Sequence, residues 1–290
     1  MAYDLVIRNG TVIDGMGGPR FHADVAARNG RIAAIGKIDE TAESTIDATG
    51  KIVCPGFVDP HTHYDAQITW DQLLSSSSEH GVTTVMMGNC GVGIAPCRPP
   101  ARALLTEDLV TVEGIDHEVL TAGIRWDWET FPEFIDAAAR RGCAINLAFM
   151  VPIAPLRTYV LGAEANERAA TAAETQMIAG LLRDAMQAGA WGFSTTASRQ
   201  HIGHGGKPLA ARLASREELA AYCDVLKQLG RGVIELALTK RYATLAEDEE
   251  ALLKFLLDAS ERPVTWLSLH NLVEKPNAIA EIVDRDAPLI

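Results

Sequence analysis

The chain has 290 residues, a formal net charge of −12 and 48% hydrophobic residues, enough for one large core, alone or with a small companion domain. The acidic balance and the lack of any Lys/Arg cluster argue against a nucleic-acid surface. The longest apolar run, near residues 144–156, is broken by Asn146, Pro152 and Pro155, so none spans a membrane; no targeting signal is visible at Met1-Ala2-Tyr3-Asp4, and five scattered cysteines read as reduced thiols of a cytoplasmic protein.

Residues 1–54 read as a small β module. Asp4-Leu5-Val6-Ile7-Arg8 meets an expected turn at Asn9-Gly10 before Thr11-Val12-Ile13-Asp14. Asn29-Gly30 separates Asp24-Val25-Ala26 from Arg31-Ile32-Ala33-Ala34-Ile35-Gly36, and Asn-Gly between apolar runs is a hairpin signal.

From residue 55 to 290 strands and helices alternate. The expected strands are Gly56–His63, Val82–Gly88, Ala144–Val151, Ala190–Thr196, Gly232–Thr239 and Pro263–His270. Several are near-continuous apolar runs, as strands buried on both faces should be. Helical patterns cover Thr130–Arg141, Ala165–Ala188, Glu247–Ser260 and Asn277–Asp284, and the capping box Ser215-Arg216-Glu217-Glu218 opens another that ends at Leu229. Repeated strand–helix units imply an α/β fold with a parallel sheet, either a (β/α) barrel or an open doubly wound sheet. A barrel needs eight strands; about six are countable, so the expectation is an incomplete barrel with its C-terminal units missing.

The chemistry concentrates where the first barrel strand ends, at Asp59-Pro60-His61-Thr62-His63-Tyr64-Asp65. Side chains two apart on a strand share a face, so His61 and His63 project together and could hold a divalent metal. Asp59 and Asp65 could orient the imidazoles. The second strand runs into Gly88-Asn89-Cys90-Gly91, where a thiolate would be a strong zinc ligand and a free thiol would be an ordinary small buried residue. Cys97, before Arg98-Pro99-Pro100, reads as part of a solvated loop.

Gly56-Phe57-Val58-Asp59-Pro60-His61-Thr62-His63-Tyr64-Asp65, with Gly81-Val82-Thr83-Thr84-Val85 and Gly88-Asn89-Cys90-Gly91, closely resembles the N-acyl-D-amino-acid deacylases (D-aminoacylases) of the amidohydrolase superfamily. The β module, Trp191-Gly192-Phe193-Ser194-Thr195 and Gly205-Gly206-Lys207-Pro208-Leu209-Ala210 fit as well. The resemblance covers nearly all of this chain and about the first half to two-thirds of a full member. It implies a metal-dependent (β/α)8 hydrolase barrel, with residues 1–54 forming part of a composite β-sandwich. It also implies one or two zinc ions on His61, His63 and Cys90, the cysteine taking the place of a bridging lysine. The implied reaction hydrolyses a non-peptide amide, N-acyl-D-amino acid to carboxylate plus D-amino acid, on a small-molecule substrate; the chain could form a homo-oligomer.

The match departs from the family on later strands. The fifth strand has no histidine; Glu235 is its only polar side chain, open to a ligand role, a catalytic role or a structural pairing. The sixth ends in His270, two residues from the family's ligand position. The family's general base, an aspartate on the last barrel strand, is expected beyond residue 290. In the loop after the fourth strand, Arg199 could pair with a substrate carboxylate and His201 could touch substrate. The alternatives are an amidohydrolase of another small, cyclic amide, and a diverged barrel that binds a small molecule without hydrolysis.

Overall fold

A computed structural model describes residues 2–238, 245–267 and 274–286. The chain divides into two compact units, Met1–Phe57 and Val58–Ile290.

The first unit is a mixed sheet of β1 (Tyr3–Val12), β2 (Phe21–Arg28), β3 (Arg31–Gly36), β4 (Ala42–Asp47) and β5 (Ile52–Val53). The order is β3-β2-β1-β4, with β5 also beside β1. β2 is antiparallel to β1 and β3, whereas β4 and β5 run parallel to β1. Asn29-Gly30 closes the β2–β3 hairpin with φ of 52° and 69°, the left-handed pair that a two-residue turn needs.

Asn9-Gly10 forms no turn, contrary to expectation. β1 runs through it, and its register against β2 shifts between Ile7 and Gly10. Asn9, at φ 63°, takes up the extra residue of a bulge. Gly10 is needed because a Cβ there would lie 2.5 Å from the Val53 side chain. Val6, Ala26 and Ile38 make this unit's small core.

The second sheet opens with β6 (Phe57–Asp59), followed by the short α1 (Ser75–Ser78) and β7 (Val82–Met87). Next come α2 (Arg102–Glu113), α3 (His117–Gly123), α4 (Phe131–Arg141) and β8 (Asn146–Pro152). Then follow α5 (Ile153–Leu161), α6 (Ala172–Gln187), β9 (Gly192–Thr196), α7 (Arg216–Leu229) and β10 (Val233–Ala237). Last are α8 (Glu247–Ser260), β11 (Val264–Leu267) and α9 (Ala278–Asp286). The six strands lie in chain order from β6 to β11, and the pairings from β7 onward are all parallel. A doubly wound sheet would reverse its order at a switch point; this sheet does not, which selects the barrel arrangement. Phe193, Ile234 and Leu236 of the sheet and Leu182, Leu226 and Leu256 of the helices are fully buried in one core.

All six expected strands are present, each shorter than its apolar run. Residues 268–270, the end of the sixth, lie outside the described residues. Ser215 caps α7 as expected, its side chain accepting from the Glu218 N–H. α6 begins at Ala172 rather than Ala165. Thr171 and Glu174 cap its start reciprocally, and the Arg168 guanidinium reaches both Glu164 (2.6 Å) and Glu174 (2.8 Å) across the turn before it.

Four α-helices among the described residues were not expected: α1, α2, α3 and α5. Pro99-Pro100 opens a helical turn leading into α2, since proline needs no N–H partner there. Cys97, expected in a solvated loop, is therefore buried. Among the described residues no helix is long and apolar enough to cross a membrane.

Candidate metal centre

The segment after β6 is held in place by backbone contacts. The His61 N–H donates to Asp59 Oδ1 (3.1 Å). Between the histidines, the Thr62 N–H (2.9 Å) and hydroxyl (2.7 Å) both donate to the Met86 carbonyl at the end of β7. Buried Asn89 Nδ2 donates to the Thr62 and Met86 carbonyls, each at 3.1 Å. His61 and His63 therefore leave the chain from a clamped segment, their ring centroids 5.2 Å apart and nearly perpendicular.

The turn after β7 brings the third group. Gly88, Cys90 and Gly91 all have positive φ, of 82°, 56° and 69°. The Gly91 N–H donates to Ser194 Oγ of β9 (2.9 Å), and that hydroxyl donates to the Gly88 carbonyl. The turn aims Cys90 Sγ at His61 Nε2, 3.4 Å away. One donor atom each from His61, His63 and Cys90 lies within 4.8 Å of the others.

Carboxyl groups crowd this cluster. Glu235 of β10 is buried; its Oε2 accepts from the Cys90 N–H (2.7 Å), and its Oε1 faces His61 Nδ1 at 4.0 Å. Glu113, at the end of α2, places Oε1 3.3 Å from His63 Nε2. Asp65 Oδ2 accepts from the Gly88 N–H (3.2 Å). Asp59 and Asp65 thus bond the backbone instead of orienting the imidazoles.

Burial sets the protonation states. It pushes Glu235 up to about 8, against the hydrogen bond from Cys90. It pushes Asp65 and Glu113 each up to about 7. His61 is lowered by burial against the pull of Asp59, and His63 falls to about 3 by burial with His61 and His201 adding to it. Burial and the neighbouring Glu235, Glu113 and Asp65 hold the Cys90 thiol protonated.

The donor set fits a cation. Two imidazoles and a cysteine, which ligates as its thiolate, are zinc-type ligands, and two buried polar atoms beside them, His63 Nδ1 and Glu235 Oε1, have no hydrogen-bond partner among the described residues. Buried polar atoms are otherwise nearly always paired.

The other expected residues fall in different places. His201 is partly buried, its Nδ1 without a hydrogen-bond partner among the described residues, and burial with Arg212 and His61 nearby lowers it to about 4. The exposed Arg199 stands outside the cluster; with Arg212, Arg216, Asp248 and Leu252 it lines a cavity of about 320 Å³. His270 lies outside the described residues. Sequence reasoning missed Glu113, Asn89 and Ser194. Asn89 stood inside a quoted motif, and its position at the strand end was a usable signal; Glu113 offered none without α2.

Residues 44–287 match the Amidohydrolase family. The chain belongs to this family. D-aminoacylase of Alcaligenes xylosoxydans xylosoxydans is 34% identical over 286 residues, 95% of this chain and 52% of that protein. Among solved structures, a D-aminoacylase studied for one-metal activation and second-metal attenuation of its binuclear centre superposes with a TM-score of 0.77 at 30% identity. It spans 98% of this chain and 56% of its own. An N-acyl-D-glutamate deacylase from Bordetella bronchiseptica, complexed with zinc and a phosphonate mimic of the tetrahedral intermediate, has a TM-score of 0.74 at 30% identity. It spans 99% of this chain and 56% of its own. The chain thus spans about half the length of the relatives it matches. The candidate site combines two imidazoles that follow β6 with a cysteine that follows β7.

Proposed function

We propose that this amidohydrolase hydrolyses N-acyl-D-amino acids at the amide bond in a metal-dependent reaction. The observation that carries the reading is the convergence of His61, His63 and Cys90 within 4.8 Å. The relatives named D-aminoacylase and N-acyl-D-glutamate deacylase support the substrate class.

In this reading His61, His63 and Cys90 hold zinc, as one ion or two, with Oε1 of Glu235 as the nearest further donor. When bound, the ion would supply Lewis acidity to the amide carbonyl and to water. Glu235 keeps a proton near neutral pH because burial lifts it to about 8, so it has one to give to a group reaching Oε1. His201 borders the histidine pair and is assigned contact with substrate; Arg199 is assigned the substrate carboxylate. The free cysteines among the described residues support a reducing, cytoplasmic setting.

The test is turnover of N-acetyl-D- and N-acetyl-L-amino acids by the protein as purified, after chelation, and after zinc is restored. The expected result is D-selective release of acetate that chelation abolishes and zinc restores. Chelator-resistant turnover would overturn the metal dependence, and no turnover with zinc bound would overturn hydrolysis; the second outcome would favour a barrel that binds without hydrolysing, a reading that the absence of histidine from β10 also motivates.

A further inference from the structure

The chain between β9 and α7 closes on itself. Ile202 pairs with Pro208 in a single antiparallel bridge. The Gly203 N–H donates to the Lys207 carbonyl (2.8 Å) and the Leu209 N–H to the His201 carbonyl (3.3 Å). Arg212 Nη1 donates to the same His201 carbonyl (3.2 Å). These bonds shape the loop; others fix where it lies. Lys207 pairs with Glu167, and His204 with Glu107 of α2, each at 2.7 Å, but both pairs are open to water and contribute little. Asn166 Nδ2 donates to the Pro208 carbonyl (2.9 Å). A further tie is buried: Asp108 Oδ1 of α2 accepts from the His204 N–H at 2.6 Å. Hydrogen bonds to a carboxylate are stronger than neutral ones.

Gly203 marks the same contact. Its φ of −91° and ψ of −164° are open to any residue, so its backbone does not require glycine. A Cβ there would lie 2.7 Å from Asp108 Oδ1 and 3.3 Å from the Leu209 Cα, so glycine is what lets the loop rest on that carboxyl group. Asp108 lowers stability at neutral pH, because burial opposes its charge. The benefit lies in what the loop carries.

It carries His201. The loop leaves β9 at the end where Ser194 bonds the Cys90 turn. His201 Nδ1 is buried without a hydrogen-bond partner among the described residues, and His201 stands close enough to His63 to lower it further. We propose that Asp108 is a positioning residue of the substrate site: by holding Gly203 and the His204 N–H, it keeps His201 at the edge of the His61, His63 and Cys90 cluster. The proposal rests on the substrate contact assigned to His201 above.

The test compares the zinc-loaded wild type with Asp108→Ala, Asp108→Asn, Gly203→Ala, His201→Ala and the double variant Asp108→Ala/His201→Ala. Amide hydrogen exchange, followed by mass spectrometry, reads the peptide spanning residues 198–209. KM and kcat are measured with an N-acetyl-D-amino acid, and a calorimetric Kd replaces KM if wild type binds without turnover. In Asp108→Ala the loop exchanges about 10-fold faster, as loss of one such hydrogen bond requires, while peptides of β7 to β10 do not change. KM rises about 10-fold with kcat nearly constant, the mark of lost uniform binding. Gly203→Ala, which pushes the loop off an intact carboxyl group, does the same. Asp108→Asn keeps the acceptor and restores both readings. In the double variant KM equals that of His201→Ala, because Asp108 acts through that ring. Wild-type exchange in Asp108→Ala would overturn the proposal. So would faster exchange spread over the whole chain, or KM losses that add in the double variant. Unchanged KM in His201→Ala sinks this proposal alone, whereas a wild type that neither turns over nor binds the compound sinks the substrate reading, and the proposal with it.

Discussion

The Cys90 N–H donates to Glu235 Oε2 at 2.7 Å, so the turn after β7 is pinned by a carboxyl group from β10, three strands away. The bond sets the Cys90 backbone at φ 56° and leaves Oε1 of the same carboxyl group facing His61. Glu235→Ala leaves a buried N–H without an acceptor, at a cost of about 1–3 kcal/mol. Glu235→Gln keeps the acceptor and is expected to stay within about 1 kcal/mol of wild type. Urea unfolding of the metal-free proteins separates the two; equal losses would show that the bond does not hold the turn.

Cys90→Ser replaces the thiol with a hydroxyl, which resists deprotonation and is a poor zinc donor. Bound zinc, counted by elemental analysis after dialysis against a weak chelator, is expected to fall to a small fraction of wild type. Activity toward the N-acyl-D-amino acid is expected to fall with it. Packing changes little between the two side chains, so the metal-free melting temperature stays close to wild type. A variant that keeps its zinc would remove Cys90 from the donor set.

What the sequence makes legible is what its spacing encodes locally. His61 and His63 sit two apart at the end of an apolar strand, and Cys90 follows the next strand, so strand pairing alone puts them at one end of the sheet. Glu113 needs α2, and α2 hides behind Arg98-Pro99-Pro100, which reads as a loop until the prolines are seen in a first helical turn. The apolar run of residues 144–156 holds both β8 and the start of α5, and periodicity cannot divide a segment buried on every side. Asn9-Gly10 fits a hairpin and a bulge equally well; the side chain of Val53, distant in sequence, is what requires the glycine.

Gly88 can be read only from the packed structure. Its φ is 82°, and a Cβ there would lie 2.1 Å from the Met150 carbonyl oxygen on β8. Gly88→Ala therefore meets both a left-handed penalty and a backbone clash, for a loss of roughly 2–4 kcal/mol. The displacement would also move Cys90, so zinc affinity should drop together with the urea midpoint. Gly17, at φ 78° with nothing near its missing Cβ, is the control: Gly17→Ala should cost about 1–2 kcal/mol, from the left-handed penalty alone. Equal losses at the two glycines would show that the clash with β8 carries no weight.

Asp108 of α2 gives the molecule a pH dependence away from the metal centre. It is fully buried; Oδ1 accepts from the His204 N–H at 2.6 Å, while Oδ2 has no hydrogen-bond partner among the described residues. Burial raises it from 3.8 to about 6, against the hydrogen bond from His204. The folded chain therefore holds this proton more tightly than the unfolded chain, and between pH 4 and 6 the folded state binds more protons. The stability from this group is fully present below about pH 4 and is lost as the pH rises through about 6, by roughly 3 kcal/mol at most. Asp108→Asn keeps the Oδ1 acceptor and cannot ionise. Unfolding free energies at pH 4, 5, 6 and 7 should shift in favour of the Asn variant by about 2–3 kcal/mol across the range, and parallel curves for the two proteins would show that Asp108 titrates normally.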